Sequence, residues 1–435
     1  MTSRLTPGFE MAILFLIFYN IIVLPLLALA AHVAAMFSKK IRRGVLGRYQ
    51  SLRKIRAFRQ LFPSDTKMFL VHCASMGEFE HTRPVLQKLK EAFPESKTIV
   101  MFFSPSGYEN RQETPGVDLF IYTPFDWAFT MRRLFRAVNP AALLIARYDV
   151  WPGQVIQAQF SGIPAILVNA SIYKKSSRLT PWLLGIQRLI YRHLSAVLAI
   201  STEDGQRFAL LISAEKISVT GDTKYEQVLA RRDEITKDPL VPEKVSANKV
   251  VFVAGSSWSE GEAHFIPALK AHAGNKFLTL ICPHEPTEEH LFHLQQQLSP
   301  LKSIRLSEID SYYDEQIILI DRIGILANLY KLADFAYVGG GFKQNVHNVL
   351  EPAAYAIPVL FGPNNENSRE AQLLKASGGG IEVLGQTAFD KAFEILIGNK
   401  EVRVEKGIAA FSIIEKNLGA SGNTINAIQL RLKEN

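Results

Sequence analysis

Short apolar, β-branched runs alternate with helical patterns from residue 67 onward, and this alternation constrains the fold more than any other feature of the 435-residue chain. Runs at 68–74, 98–103, 119–122, 142–146, 165–169, 196–200 and 217–220 read as strands. Helical spacing between them predicts helices over 82–92, 127–137 and 181–193. Strands separated by helices return to the same edge, so a mainly parallel sheet covered on both faces is expected. A polar stretch at 233–248, with Pro239 and Pro242, interrupts the pattern. It then restarts with runs at 250–254, 277–282, 317–320, 335–338, 358–361 and 380–383. The expected fold class is α/β, two doubly wound Rossmann-like domains with a cleft between them. Ligands of such sheets meet the C-terminal strand ends, so residues just past each strand carry most weight.

Ahead of the first strand, residues 11–36 are almost continuously apolar, broken by Asn20, Pro25 and His32. As a helix this stretch spans about 39 Å, enough for a bilayer core of ~30 Å. Nine basic residues and no acidic one follow between Lys39 and Arg59, and without them the net charge of +8 becomes −1. The basic excess is therefore local and gives no ground for a nucleic-acid partner. The positive-inside rule puts the N-terminus outside and everything after Lys39 in the cytoplasm, behind a single-pass anchor. Ala28-Leu29-Ala30 supports a competing reading as a cleaved signal peptide, which the non-basic start and the long apolar run fit less well. Ile41, Val45, Tyr49, Leu52, Ile55, Phe58 and Phe62 recur every three or four residues among the charges, which predicts a basic amphipathic helix suited to anionic phospholipid. The alternative is a solvated helix packed on the next domain. The expected divisions are an anchor (1–37), a basic segment (38–66), a first domain (67–232), a linker (233–248) and a second domain (249–435). Cys73 and Cys282 lie in apolar runs without metal-ligand spacing, as buried thiols would.

Several strand ends carry chemistry. Ser75-Met76-Gly77-Glu78 follows the first strand, and Glu78 can serve there as a general base or simply as an acid at a helix N-terminus. Arg147-Tyr148-Asp149 follows the fourth strand, and Lys224, after Gly221, can meet a phosphate or carboxylate. In the second half, Ser256 and Ser257 occupy a strand-to-helix turn of the kind that holds phosphate. Pro283-His284-Glu285 and Asp321-Arg322-Ile323-Gly324 follow later strands. The turn Gly339-Gly340-Gly341, running into His347-Asn348 and Glu351, is expected to lead into a helix whose N-terminus attracts an anion, while Glu351 suits sugar hydroxyls. No P-loop, GxSxG or HExxH occurs, and no metal-ligand set forms.

Together these pieces resemble the 3-deoxy-D-manno-octulosonic acid (Kdo) transferases of lipopolysaccharide synthesis, which have the GT-B fold. The resemblance runs through essentially the whole chain. It rests on the anchor with its basic helix, Ser75-Met76-Gly77-Glu78, Pro124-Phe125-Asp126-Trp127, Trp151-Pro152, Val219-Thr220-Gly221, Asp334 before Val338-Gly339-Gly340, His347-Asn348, Leu350-Glu351-Pro352-Ala353-Ala354 and Phe361-Gly362-Pro363 with Asn367 and Glu370.

The resemblance implies inverting transfer of Kdo from CMP-Kdo to a lipid A precursor of the lipid IVA type, with no metal or other cofactor. It implies Glu78 as catalytic base and a donor-binding set of Ser256, Ser257, Pro283, His284, Gly324, Gly340, Gly341, His347, Asn348 and Glu351. Lys224, Arg53 and Arg56 are the cations expected to meet acceptor phosphate. Three departures stand out. The family's Glu-Thr-Glu-Leu-Trp-Pro reads Arg147-Tyr148-Asp149-Val150-Trp151-Pro152, which leaves Asp149 as the second carboxylate. Pro-Arg-His-Pro reads Pro283-His284-Glu285-Pro286, and Gly-Gly-His-Asn-Pro reads Asn345-Val346-His347-Asn348-Val349. Two other readings stay open: a membrane-associated GT-B transferase using a UDP-sugar, and a membrane-anchored nucleotide-sugar binding protein whose catalysis has lapsed.

Overall fold

The computed structural model describes residues 7–111, 113–234, 240–274 and 276–433. The chain divides into two compact units, residues 1–227 with 419–435 and residues 228–418. In the first unit, seven parallel strands pair in the order β3-β2-β1-β4-β5-β6-β7. They are β1 (Met68–Cys73), β2 (Lys97–Phe102), β3 (Leu119–Tyr122), β4 (Ala142–Ala146), β5 (Ala165–Ala170), β6 (Ala196–Ala199) and β7 (Ile217–Val219). β1 is buried at all six positions. Met68 and Leu70 enter the core on one face of the sheet, and Phe69, Val71 and Cys73 that on the other. Strands covered on both faces have no polar side to show, which is why they read as unbroken apolar runs.

The N-terminal segment is helical from Pro7 to Phe18, passes through a π turn at Tyr19–Val23 and continues as Leu24–Phe37. Met11–Phe37 is long and apolar enough to cross a membrane, by length and composition. Leu16, Tyr19 and Leu24 join the core of the first unit, whereas Leu14, Ile21, Leu26, Leu29 and Met36 are exposed. The next helix, Lys39–Arg59, turns Val45, Ser51 and Ile55 inward. One face of it packs on the domain, as the alternative reading expects, while Arg53 and Arg56 are exposed.

In the second unit the strands are β8 (Val250–Ser257), β9 (Phe277–Pro283), β10 (Ser303–Arg305), β11 (Ile317–Leu319), β12 (Phe335–Val338), β13 (Val359–Phe361) and β14 (Gly380–Glu382). They pair in parallel in the order β10-β11-β9-β8-β12-β13-β14. β10 goes unannounced by the sequence because it has three residues, of which Ile304 alone is buried.

Two expected boundaries shift. The second domain does not run to residue 435: the closing helix Ala420–Lys433 sets Ile425 and Ile428 into the first unit's core with Leu86 and Leu89. The N–H groups of Gly419 and Ser421 donate to Glu226, at 2.8 and 3.2 Å, which fixes the start of that helix. The division between units falls inside the helix Lys224–Asp233, ahead of the expected linker, because Arg231 and Arg232 bond to Glu351 and to the Ala354 carbonyl. Within that linker, residues 235–239 lie outside the described residues, and Glu243–Ser246 is a helical turn with Val245 buried.

Candidate functional site

Past the end of β1, Ser75 and Glu78 cap the helix Met76–Ala92 reciprocally. The Glu78 N–H donates to Ser75 Oγ at 3.4 Å, and Glu78 Oε2 accepts the Ala74 N–H at 2.5 Å. A serine and a glutamate three residues apart commonly satisfy free donors this way. Glu78 is 5% exposed. Burial raises its carboxyl above the ordinary value, the Ala74 N–H opposes that rise, and nearby Asp149 adds to it.

Asp149 is held from two sides. The His72 Nε2 lies 2.8 Å from Asp149 Oδ2, and the Trp151 indole N–H donates to the same oxygen at 2.9 Å. Burial would raise this carboxyl, but the His72 and Trp151 bonds outweigh it and hold Asp149 below the usual carboxylate range. The His72 Nδ1 sits 3.1 Å from Thr123 Oγ1, so both ring nitrogens of a fully buried histidine are engaged. Sequence reasoning singled out neither His72 nor Thr123. It also missed Arg48, which donates to the Thr123 and Phe103 carbonyls at 2.7 Å each and stacks on Phe103, itself stacked on Trp151. Nothing in the local alternation of apolar residues distinguishes His72 from its strand neighbours. Arg48 is likewise hidden among nine basic residues. Arg53 and Arg56, expected to meet acceptor phosphate, lie on the exposed side of that helix.

Arg147 and Lys224 meet at Asp222. The Arg147 Nη2 is 3.6 Å and the Lys224 Nζ 3.5 Å from Asp222 Oδ2, and Arg147 Nε donates to His81 Nδ1 at 3.2 Å. Arg147 adopts a left-handed φ of 61°, a sparsely populated conformation for a non-glycine residue that is commonly found at functional turns.

In the second unit the glycine run is required by contact and by conformation. A Cβ on Gly339 would stand 1.9 Å from the Ser256 carbonyl oxygen, and one on Gly341 2.8 Å from the Gly362 nitrogen, while Gly340 has φ 94°. The loop closes on itself, with the His347 N–H donating to the Gly339 carbonyl at 3.0 Å and the Gln344 N–H to the Gly340 carbonyl at 2.8 Å. The expected helix after Asn348 is a single turn, Leu350–Ala353. Pro352 cannot donate within it, and Ala356 turns left-handed at φ 55°. A one-turn helix has little macrodipole, so the helix end expected to attract an anion there is weak.

Asn348 and Glu351 do come together. The Asn348 side-chain amide donates to Glu351 Oε1 at 3.3 Å, Arg231 donates to the same oxygen at 3.0 Å, and Asn348 Oδ1 accepts the Leu350 N–H. Burial raises the Glu351 carboxyl, and Arg231 and Asn348 counter part of the rise. Arg231 lies 120 positions away in sequence, and no sequence signal announces it.

His284 stacks on both Trp258 and His347, at centroid distances of 4.7 Å each, and the Trp258 N–H donates to His347 Nε2 at 3.1 Å. Since that nitrogen accepts, His347 is a neutral ring protonated on Nδ1. Burial, then His284, keeps its pKa low. Ser257 is fully buried and donates to Glu262 Oε1 at 2.6 Å, so its hydroxyl is committed inside the unit. Ser256 has a left-handed φ of 49°, Pro283 ends β9 in register with Ser257, and Gly324 has φ 86° in the loop after β11.

Residues 45–227, the segment that contains Glu78, Asp149 and Lys224, match the domain family described as 3-deoxy-D-manno-octulosonic-acid transferase (kdotransferase). The chain is 27% identical over 377 residues to the 3-deoxy-D-manno-octulosonic acid transferase of Haemophilus influenzae, covering 84% of this chain and 87% of that one. It is 26% identical over 340 residues to the enzyme of the same name from Aquifex aeolicus, covering 77% and 88%. Among solved structures, a glycosyltransferase from Rickettsia africae superposes with a TM-score of 0.57 at 12% identity, over 85% of this chain and 100% of that one, and shows the shared two-sheet GT-B architecture. Over residues 45–227, and along more than three quarters of its length, the chain is thus similar to Kdo transferases.

Proposed function

We propose that the chain transfers Kdo from CMP-Kdo to a lipid A precursor, with inversion, on the cytoplasmic face of the inner membrane. The observation that carries this reading is Glu78, a nearly buried carboxylate with a raised pKa beside the His72–Asp149 pair, inside the segment matched to the family. In the proposed step an acceptor hydroxyl oxygen attacks the anomeric carbon of Kdo. The bond from that carbon to the phosphate oxygen breaks, CMP leaves with the electron pair, and the acceptor proton passes to Glu78 Oε1. The anomeric carbon is oxocarbenium-like as the bond breaks. Asp149, held by His72 and Trp151, lends negative charge that keeps Glu78 basic. The loop after Gly339, whose own N–H donates to the Gly255 carbonyl, is assigned to the nucleotide phosphate, and Glu351, oriented by Arg231 and Asn348, takes the ribose hydroxyls. The exposed apolar side of Met11–Phe37 is assigned to the bilayer, with Arg53 and Arg56 toward its anionic surface or the acceptor phosphates.

Mass spectrometry of the lipid product tests this, using purified full-length chain, CMP-Kdo and a tetraacylated lipid A precursor. Addition of one or more Kdo residues is expected. Transfer from a UDP-sugar but not from CMP-Kdo would sink the reading. A second reading rests on Arg147, a base where the family commonly carries an acid. In that reading the chain binds nucleotide-sugar without turnover, and the same assay, with CMP binding measured beside it, separates the two.

A further inference from the structure

The three polar side chains of the apolar stretch Met11–Phe37 that can hydrogen-bond, Tyr19, Asn20 and His32, all meet one short segment of the first unit. The Tyr19 hydroxyl donates to Asp126 Oδ2 at 3.0 Å, Asn20 Oδ1 accepts the Ala128 N–H at 2.8 Å, and His32 stacks on Phe125 with centroids 5.9 Å apart. The π turn Tyr19–Val23 begins where the first two of these contacts are made, and such turns recur at functional positions. A lipid-facing helix surface gains nothing from polar groups, so these three residues read as fittings to protein.

Asp126 carries the contact onward. The oxygen that accepts Tyr19 also accepts the Gly153 N–H, at 2.7 Å. A Cβ on Gly153 would lie 2.1 Å from the Asp126 carbonyl oxygen, so glycine alone allows the approach. Gly153 opens the helix Pro152–Phe160, directly after the turn that holds Asp149 and Trp151. Asp126 itself is 5% exposed, and its Oδ1 has no partner among the described residues.

We propose that Asp126 is a positioning residue: by sharing one oxygen between Tyr19 and Gly153, it makes the seating of the N-terminal apolar helix set the position of the Asp149–Trp151 turn. Tyr19 then influences the site although it touches none of the residues assigned to chemistry. The effect on turnover rests on the proposed transferase reading, whereas the coupling itself does not.

The test uses the full-length chain in detergent micelles and the variant Tyr19→Phe, which removes one hydroxyl. Hydrogen exchange by mass spectrometry is read over residues 149–157, and the ring 15N signals of His72 report its bond to Asp149. The expected result is exchange about 5-fold faster at Gly153 and its neighbours, the scale of one lost hydrogen bond, with shifted His72 signals. Turnover falls while the KM for CMP-Kdo holds. Asp126→Asn, whose amide oxygen can still accept from both donors, should stay near wild type, and Leu26→Ala, on the exposed side of the helix, should change nothing. Unaltered exchange and His72 signals in Tyr19→Phe overturn the coupling. Faster exchange with wild-type turnover overturns the positioning role and leaves Asp126 a helix cap. The first two readouts need no substrate, so they decide the coupling even where the wild-type chain transfers no Kdo, an outcome that sinks the proposed function instead.

Discussion

The two units solve the same topological problem with different chemistry. In each, the first strand of the sheet lies inside it next to a later one, β1 beside β4 and β8 beside β12, and in sheets of this kind the C-terminal ends of such neighbours are where ligands bind. In the first unit that edge of the sheet is filled with titratable side chains: the buried His72, Glu78, Arg147 and Asp222, and the half-buried Asp149. In the second it is made of backbone, where three glycines let loops approach to distances no side chain would permit, with a stack of Trp258, His284 and His347 beside them. An edge crowded with coupled carboxylates is suited to moving a proton. An edge built of tightly packed glycine turns brings backbone rather than ionisable side chains to the strand ends. Substitutions in the two places should therefore fail differently.

The sharpest contrast is between turnover and binding. Glu78→Gln should lower kcat by about 10²–10⁴-fold, the usual contribution of a positioned base, while CMP affinity measured by calorimetry stays within about twofold. Wild-type turnover in this variant would remove Glu78 from the chemistry. Glu351→Gln should do the reverse, weakening CMP binding by roughly 10-fold, the scale of a hydrogen bond to a charged group, while kcat at saturating donor changes little. Loss of kcat without loss of affinity would erase the division of labour between the units.

Gly339→Ala sharpens the comparison through stability. A Cβ placed 1.9 Å from the Ser256 carbonyl oxygen forces β12 and the end of β8 apart, and overpacking of this kind costs about 1–3 kcal/mol. Thermal unfolding followed by circular dichroism should show a loss of a few degrees. Gly324→Ala has open space for its methyl and bears only the strain of φ 86°, so it should cost less. Equal losses for the two would mean that conformation, not close approach, is what the glycine run supplies.

Much of this organisation is legible in the sequence. Double-sided burial turns parallel strands into apolar runs, and thirteen of the fourteen strands begin or end within a residue or two of where those runs place them; β10, with one inward side chain, does not. The closing helix shows that periodicity reports an apolar face but not which core receives it. In the site, residues joined by local turns are readable, as with Ser75 and Glu78 or Asn348 and Glu351. Pairs made by tertiary contact are not: His72 meets Asp149 across 77 positions, and Arg231 meets Glu351 across 120. Arg48 was hidden for another reason, since charge counting treats nine basic residues alike and only packing singles out those, such as Arg48 and Lys54, that turn toward the protein.

The smallest expected effect concerns Asp126 and pH, and it separates the units by stability alone. Burial pushes the Asp126 carboxyl up to about 7, against the opposing bonds from Gly153 and Tyr19 and with a further rise from the Asp149 charge. The ordinary aspartate value is about 3.9. The folded chain thus holds this proton more tightly than the unfolded one, so the stability it contributes is fully present below about pH 4 and is lost as pH rises through about 7. Asp126→Asn has no proton to lose there. The difference in melting temperature between wild type and Asp126→Asn should therefore move in favour of the variant between pH 5 and pH 8, by a few degrees. Glu351, a partly buried carboxylate of the second unit, is also raised but has Arg231 to balance it, so Glu351→Gln should show a weaker trend over the same range. A pH-independent difference for Asp126→Asn would mean that the carboxyl is ionised throughout. Tyr19 and Gly153 would then be bonded to a buried charge, and the first unit would owe its crowded edge to strain rather than to a retained proton.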